Sequence, residues 1–391
     1  MTRWENYLSS AERIVNSYDG SLPLHHFLKA FFKQHPQMGS RDRRWVSQLA
    51  YAFYRMGHLW KDAMPVKDRM LTGLFLCETQ SNELLAIFRP EWNEQAALPI
   101  QEKLAGISFN GQAPSPAAIF PFAGELSEGI NAAAFANTYF VQPRLFLRIR
   151  KNKQHEVTLL LEKAGVAYEW LSNDLLALPN STKTETLIPQ KEWYEIQDAS
   201  SQQTGYLFRP KAGEYWWDCC AASGGKSLLL MDQEPGVKLT VSDLRTSILH
   251  NLHDRFYTAG IRNYESRMLD LTQPVSPGTF AHGEFDGIIL DAPCSGSGTW
   301  GRSPEHLYYF EEVKINRFHA LQKSIAGNVI PLLKPGGALI YITCSVFKQE
   351  NEAVVQHLCR TAGLQWQEGG IIPGYTSGAD TMFAARLLKP A

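Results

Sequence analysis

The sequence has no apolar run of about 18 residues, the length that a membrane-spanning helix requires, and its first residues, MTRWENYLSSAERIV, lack the apolar core of a secretion signal. Both absences predict a cytoplasmic protein with no membrane partner. Neither sign of charge is in excess, with 38 Lys and Arg against 39 Asp and Glu. No global field therefore marks a nucleic-acid binder, and affinity for phosphate has to come from local basic strips. Cysteine is scarce, six in 391 residues, and no two form C-x-x-C. That spacing argues against a zinc site, so no metal is expected, and an intracellular setting disfavours disulfides. Cys77 and Cys359 read as buried free thiols. Internal repeats and low-complexity tracts are absent. The loop after the first strand also lacks two phosphate motifs. A P-loop needs glycine five residues before Gly225 of Gly225-Lys226-Ser227, where Cys220 stands, and 218–227 holds no G-x-G-x-x-G.

What is present is enough for two or three domains, since 391 residues exceed one ordinary core. In LHHFLKAFF the residues Leu24, Phe27, Leu28, Phe31 and Phe32 recur at i, i+3, i+4, i+7 and i+8, one face of a helix. Trp45, Val46, Leu49, Ala50 and Phe53 make a second face after MGSRDRR, with Ser40 as its N-cap. Residues 95–140 read as a connector with short helices. RLFLRIRKNK alternates as a strand, with Leu145, Leu147 and Ile149 on one face and Arg144, Arg148 and Arg150 on the other, and HEVTLLLEKAG follows as a helix closed by Gly165. A small β-α-β unit fits 140–195.

From residue 213 strands and helices alternate: YWWDCC, KLTVSD, YESRMLD, FDGIILD and ALIYITCS as strands, with helices between them, one of them over 312–333 and ended at LLKPGG. Alternation of this kind predicts an α/β fold, a doubly wound, mostly parallel sheet wrapped by helices. The expected organisation is a helical region over 1–135 with a possible RNA-binding role, a small α+β module over 136–205, and a Rossmann-like domain over 206–391.

In such sheets ligands bind beyond the carboxyl ends of the strands. The first strand is followed by Cys220, Ala221, Ala222, Ser223, Gly224, Gly225 and Lys226, small residues that let a ligand approach the backbone at a helix N-terminus. A glycine loop with no phosphate signature suits a ligand without pyrophosphate. The second strand ends in Asp243, placed to accept ribose hydroxyls, and the third in Asp270, placed to meet the exocyclic amine of an adenine; each is also a plausible solvated turn residue. Together they describe a nucleoside pocket that S-adenosyl-L-methionine fits and ATP does not.

DAPCS ends the fourth strand and TCS the fifth. As neighbours about 4.8 Å apart, these strands bring Cys294 and Cys344 to one cleft beside Asp291, the rival being coincidental burial. A thiolate that adds to carbon 6 of cytosine makes carbon 5 able to attack a methyl donor. An acid near ring nitrogen 3 stabilises the charge that develops. A base must then remove the carbon-5 proton so that the thiol leaves, and a second cysteine suits the release.

At these residues the sequence resembles the RNA (cytosine-5-)-methyltransferases of the Sun/Fmu group, RsmB-like and NSUN. QDASSQ (197–202), DCCAASGGKS (218–227), DAPCSGSG (291–298), TCS (343–345) and ENE (350–352) occur in the family's order, and DTMFAARL resembles its last strand. The resemblance implies Cys344 as nucleophile, Cys294 in product release, Asp291 against the target cytosine and Lys226 near the same base. It implies a donor held by Cys220 to Lys226, Asp243, Asp270 and Asp291. The substrate implied is RNA, small-subunit (16S) ribosomal RNA first and tRNA as the near alternative, methylated by a monomer. A non-catalytic RNA-binding ribosome-assembly factor is the competing class. The strip Arg144, Arg148, Arg150, Lys151 and Lys153 falls in what looks like the family's RNA-recognition-like module, where it either tracks phosphates or faces water. The arginines of GSRDRRWVSQLAYAFYR are open to the same two readings. Two departures stand out: the family usually has proline at Ser223, and two arginines where Gly301 and Arg302 stand.

Overall fold

The computed structural model describes residues 2–391 and divides them into two units. One comprises the chain through Leu126 together with Asn131–Gln142 and Thr299–Glu312; the other comprises Ser127–Ile130, Pro143–Gly298 and Val313–Ala391. Thr299–Glu312, expected within the C-terminal domain, thus belongs to the helical unit, and the small module shares a unit with the large sheet. Among the described residues no helix is long and apolar enough to cross a membrane.

The helical unit begins with α1 (Arg3–Ser17), α2 (Leu24–Gln34), α3 (Ser40–Arg55) and α4 (Val66–Cys77), followed by shorter helices through the Ala- and Pro-rich stretch. The N-cap of α3 is Gly39 rather than Ser40, and Asp42 takes the Gly39 N–H at 2.9 Å. Three arginines here bond within the unit. Arg69 is buried and donates to the carbonyls of Phe53 and Gly57 at 3.2 and 2.6 Å, satisfying the exposed end of α3. Arg55, also buried, donates to the Tyr139 carbonyl at 2.8 Å, and Arg41 pairs with Glu83 at 2.7 Å.

The second unit opens with a four-stranded sheet. Strands β1 (Leu145–Ile149), β2 (Glu169–Trp170), β3 (Leu175–Leu178) and β4 (Tyr194–Ile196) lie in the order β2-β3-β1-β4, all pairings antiparallel, with helix α5 (Gln154–Lys163) between β1 and β2. The expected β-α-β unit is therefore part of a β-α-β-β-α-β arrangement, the second helix being the single turn Thr184–Leu187. Alternation puts Leu147 and Ile149 in a core with Val157 and Leu161, while Phe146 faces the other way and packs with Leu175, Ala177 and Ala199.

The large sheet carries β5 (Tyr215–Asp218), β6 (Lys238–Asp243), β7 (Tyr264–Met268), β8 (Phe285–Asp291), β9 (Leu333–Thr343), β10 (Gln365–Ile372) and β11 (Met382–Leu388) in the order β10-β11-β9-β8-β5-β6-β7. The pairings from β9 through β7 are parallel; β11 and β10 are antiparallel. Helices α6 (Gly225–Gln233), α7 (Thr246–Thr258), α8 (Val313–Val329) and α9 (Glu352–Ala362) complete the unit. Strands buried on both faces need apolar residues at every position, and FDGIIL and ALIYIT supply them: Ile288, Leu290, Leu339 and Tyr341 enter one core with Trp217, while Ile289, Ile340 and Ile342 enter the other with Trp216. The expected helix over 312–333 ends at Val329, and β9 starts at Leu333 and runs through Pro335-Gly336-Gly337 rather than after it. The antiparallel β10 was missed, because QWQEGGII is too irregular and exposed to show a clear period.

Gly298 marks where three loops meet. Its N–H donates to the Cys344 carbonyl at 2.9 Å, its own carbonyl takes the Thr381 N–H at 2.9 Å, and a Cβ there would lie 1.8 Å from the Thr381 carbonyl oxygen. Gly298→Ala is expected to lower stability by about 1–3 kcal/mol through overpacking against backbone, read as a lower urea midpoint with unchanged slope; an unshifted midpoint would contradict it.

Candidate active site

The order of the large sheet reverses between β5 and β8, and that crevice is where open parallel sheets bind ligands. Lys226, from the first turn of α6, and Asp291, at the end of β8, flank it and form an ion pair at 2.9 Å. Burial alone would lower the Lys226 ammonium's pKa; the Asp291 charge and hydrogen bond, with further help from Asp218 and Cys344, outweigh burial and hold it above its ordinary value. Lys226 is thus a fixed cation at the switch point.

The expected meeting of the thiols is what the structure shows. The pairing of Asp291 with Ile342 in the parallel β8–β9 ladder sets the two loops level, and Cys294 Sγ lies 3.4 Å from Cys344 Sγ. Both residues are half-buried. They see different charges. Cys294 is pushed well above the usual thiol range, first by its hydrogen bond to Cys344, then by burial and the Cys344 and Glu350 charges, whereas Cys344 lies within reach of the Lys226 ammonium.

The loop from Cys220 to Gly224 is held by backbone bonds to its neighbours. Ala221 N–H donates to the Ser242 carbonyl at 2.9 Å, and Ala222 N–H donates to Asp243 Oδ2 at 3.1 Å. Gly224 caps α6 at φ +83°, with Phe256 so close that a Cβ would lie 2.5 Å from its ring. Ser223, where the resemblance expects proline, accepts from Arg255 through its hydroxyl at 3.0 Å, so a side-chain bond replaces the ring as a restraint. Asp243 is nearly buried and gives one oxygen to Ala222 and the other to the Arg245 N–H at 3.0 Å; two lone pairs per oxygen leave it capacity for ribose hydroxyls. Asp270 is not in register with it. β7 ends at Met268, and Asp270 is exposed two residues further on, accepting the Thr272 N–H and hydroxyl at 3.0 and 2.7 Å.

Two arginines of the basic strip are enclosed within the unit. Arg148, 3% exposed, is ion-paired with Asp232 and donates to Gln197 at 2.9 Å. Arg150 pairs with Glu195 at 2.8 Å and with Asp232, and Arg144 pairs with Glu169 at 2.8 Å. Period 2 put Arg148 on the polar face of β1, but that face is covered within the unit, and buried arginine demands carboxylate partners. Lys153 pairs with Glu156 at 3.0 Å, and Lys151 is exposed.

Two buried carboxylates were not singled out from the sequence. Asp218, at the end of β5, accepts the Ser227 hydroxyl at 2.6 Å, and burial pushes its pKa up to about 7. Glu350 accepts from Ser295, Ser345 and Gln322. The motifs DCC and ENE contained both residues, yet nothing in either tells a buried carboxylate from an exposed one. Because Asp218 holds its proton more tightly when folded than its ordinary value of 3.8 allows, its contribution to stability is full below about 3.8 and is lost as pH rises through about 7. Asp218→Asn removes that loss. Its melting temperature relative to the parent is expected to climb between pH 5 and 8, and a pH-independent difference would contradict this.

A family model described as 16S rRNA methyltransferase RsmB/F matches residues 205–368. The ribosomal RNA small subunit methyltransferase B of Cronobacter sakazakii is 31% identical over 273 residues, which is 63% of this chain and 60% of that protein. The chain thus spans about 60% of the length of the curated relatives it matches. Among solved structures, that of PH0851 superposes with a TM-score of 0.71 at 19% identity, covering 99% of this chain and 98% of the other. NSun6 from Pyrococcus horikoshii, solved with SFG, superposes with a TM-score of 0.55 at 16% identity, covering 64% of this chain and 91% of the other. These two likenesses speak for the fold; the sequence match over the parallel sheet, its glycine loop and both cysteine loops says more, for over residues 205–368 the chain is similar to the RsmB/F methyltransferase family.

Proposed function

We propose that the protein transfers a methyl group from S-adenosyl-L-methionine to carbon 5 of a cytosine in RNA, with small-subunit ribosomal RNA as the substrate class, acting as a cytoplasmic monomer. The observation that carries this reading is the pair of thiols 3.4 Å apart beside the Lys226–Asp291 ion pair at the sheet's switch point. The names of the matched relatives support the RNA.

The residues present suit the donor. Asp243 offers acceptors for a ribose, the loop Cys220–Gly225 exposes backbone among small side chains, and the first turn of α6 adds N–H groups. Asp270, exposed beyond the end of the edge strand β7, is the most exposed of the expected aspartates. When bound, S-adenosylmethionine supplies an electrophilic methyl group.

The resemblance of TCS (343–345) to the family's motif gives Cys344 the role of nucleophile. Its sulfur bonds to carbon 6, the ring electrons move toward carbon 5, and the Lys226 ammonium, held by Asp291, faces the negative charge that develops on the ring. Cys294 keeps its proton in the resting site chiefly because of its hydrogen bond to Cys344. Once Cys344 is spent on carbon 6 that bond is gone; Cys294 gives its proton to solvent and, as a thiolate, takes the carbon-5 proton. The carbon–sulfur bond then breaks, and Cys344 leaves as a thiolate.

The first test is incubation with radiolabelled S-adenosylmethionine and RNA from cells lacking the protein, followed by digestion to nucleosides. Label in 5-methylcytidine of ribosomal RNA is the expected result; no label in naked RNA or in ribosomal particles favours a non-catalytic assembly factor, and label confined to tRNA moves the substrate. The mechanism separates the cysteines. Cys294→Ala is expected to accumulate a protein–RNA adduct that survives a denaturing gel, with turnover lowered by about 10²–10⁴-fold, the usual worth of a positioned acid–base group. Cys344→Ala is expected to form neither adduct nor product. Adduct in Cys344→Ala and none in Cys294→Ala would exchange the two roles.

A further inference from the structure

Glu350 is fully buried, and its two oxygens reach the residues that flank both thiols. Oε2 accepts the Ser295 N–H at 2.8 Å and Gln322 Nε2 at 3.1 Å; the same Gln322 nitrogen donates to the Pro293 carbonyl at 3.0 Å. Oε1 accepts the Ser345 hydroxyl at 2.9 Å. Pro293 and Ser295 stand on either side of Cys294, and Ser345 follows Cys344. The Glu350 main chain is itself held, because the Tyr341 hydroxyl donates to its backbone carbonyl at 2.6 Å. Its neighbour Asn351 completes the grip on Cys344, accepting from the Thr343 hydroxyl at 2.5 Å and donating to the Ser345 carbonyl at 2.9 Å.

We propose that Glu350 is the positioning residue of the thiol pair: one buried carboxylate ties the loop after β8 to the loop after β9 and so sets the distance and direction between the Cys294 and Cys344 sulfurs. The inference rests on the two-cysteine reading of the site. An ionised carboxylate is acceptor-only, which matches donors arriving at both oxygens. Burying it is costly unless its bonds are made. An apolar side chain would fill the space but leave the Ser295 N–H and the Gln322 amide without this acceptor. Glutamine keeps the shape and turns one acceptor into a donor, facing Gln322 or Ser345 with the wrong group. The Glu350 charge also adds to what keeps Cys294 protonated, so the residue acts on the difference between the thiols as well as on their spacing.

The test uses the full chain and two readouts. Diamide closes a Cys294–Cys344 disulfide, accepting the two electrons and two protons that the thiols give up, and the closure rate, followed by peptide mapping, needs no RNA. Methylation kinetics give kcat and KM, and calorimetry gives S-adenosylmethionine affinity. For Glu350→Gln the expected result is a kcat lowered by about 10²-fold, the cost of misplacing reacting groups by an ångström. Closure slows as well, while KM for RNA and donor affinity stay at the parent's values. Ser345→Ala, which removes one tether and leaves the buried acid in place, is expected to show the same split to a smaller extent, and it carries the test if Glu350→Gln does not fold. Closure and kcat at parental levels would overturn the proposal. So would donor affinity falling in parallel with kcat, since a merely structural role loosens the Cys220–Gly225 loop as well. If the parent protein methylates no RNA, the proposed activity fails, and the closure rates still decide whether Glu350 sets the thiol spacing.

Discussion

The parallel ladder between β8 and β9 is the constraint on which the site depends. Pairing Asp291 with Ile342 fixes where both strands stop, and the two loops then start level with one another on adjacent strands. Parallel strands twist and slant but keep their spacing, so residues two or three past the last pair meet without either loop having to be long. The thiol contact at 3.4 Å is the product of that register. A shift of one residue would carry Ile288, Leu290, Leu339 and Tyr341 to the wrong core, so the burial of those side chains protects the register and, through it, the chemistry.

Around this ladder the molecule spends buried charge in two ways. Lys226 with Asp291 sits at the sheet's switch point, and Glu350 with its donors sits between the two cysteine loops. Arg148, Arg150, Asp232 and Glu195 are bonded only to one another and to nearby polar groups, and they join the small four-stranded sheet to α6 and α7 through Asp232 and Arg255. The second group shows why basic residues on an alternating strand are weak evidence for nucleic acid. The periodicity that reports a polar face does not report whether that face is wet.

Asp218 and Asp243 illustrate a related division within one loop. Asp218 anchors the start of α6 through Ser227 from inside the sheet, and burial leaves its carboxyl reluctant to ionise. Asp243 fixes the same loop from its outer side through the Ala222 N–H and retains acceptor capacity. One carboxylate is committed to the fold; the other holds the loop in shape and keeps unused acceptor capacity.

The α/β alternation, the sheet's parallel core, the position of the glycine loop and the presence of two cysteines at adjacent strand ends were all legible in the order of residues, because hydrophobic period, turn chemistry and strand-end position are local properties. The irregular β10, the assignment of Thr299–Glu312 to the helical unit and the true end of β7 were not, since each depends on which partner the segment finds. The fate of the charged side chains was settled by tertiary structure alone. Arg148 reads the same as Lys151 in the chain, yet one is buried against Asp232 and Gln197 and the other lies in water. Glu350 reads as part of a polar triplet, yet it is sealed among donors that come from three separate parts of the sequence. Burial is a property of the assembled molecule, and it is burial that turns a charged residue into a structural tie, a fixed cation or a clamp.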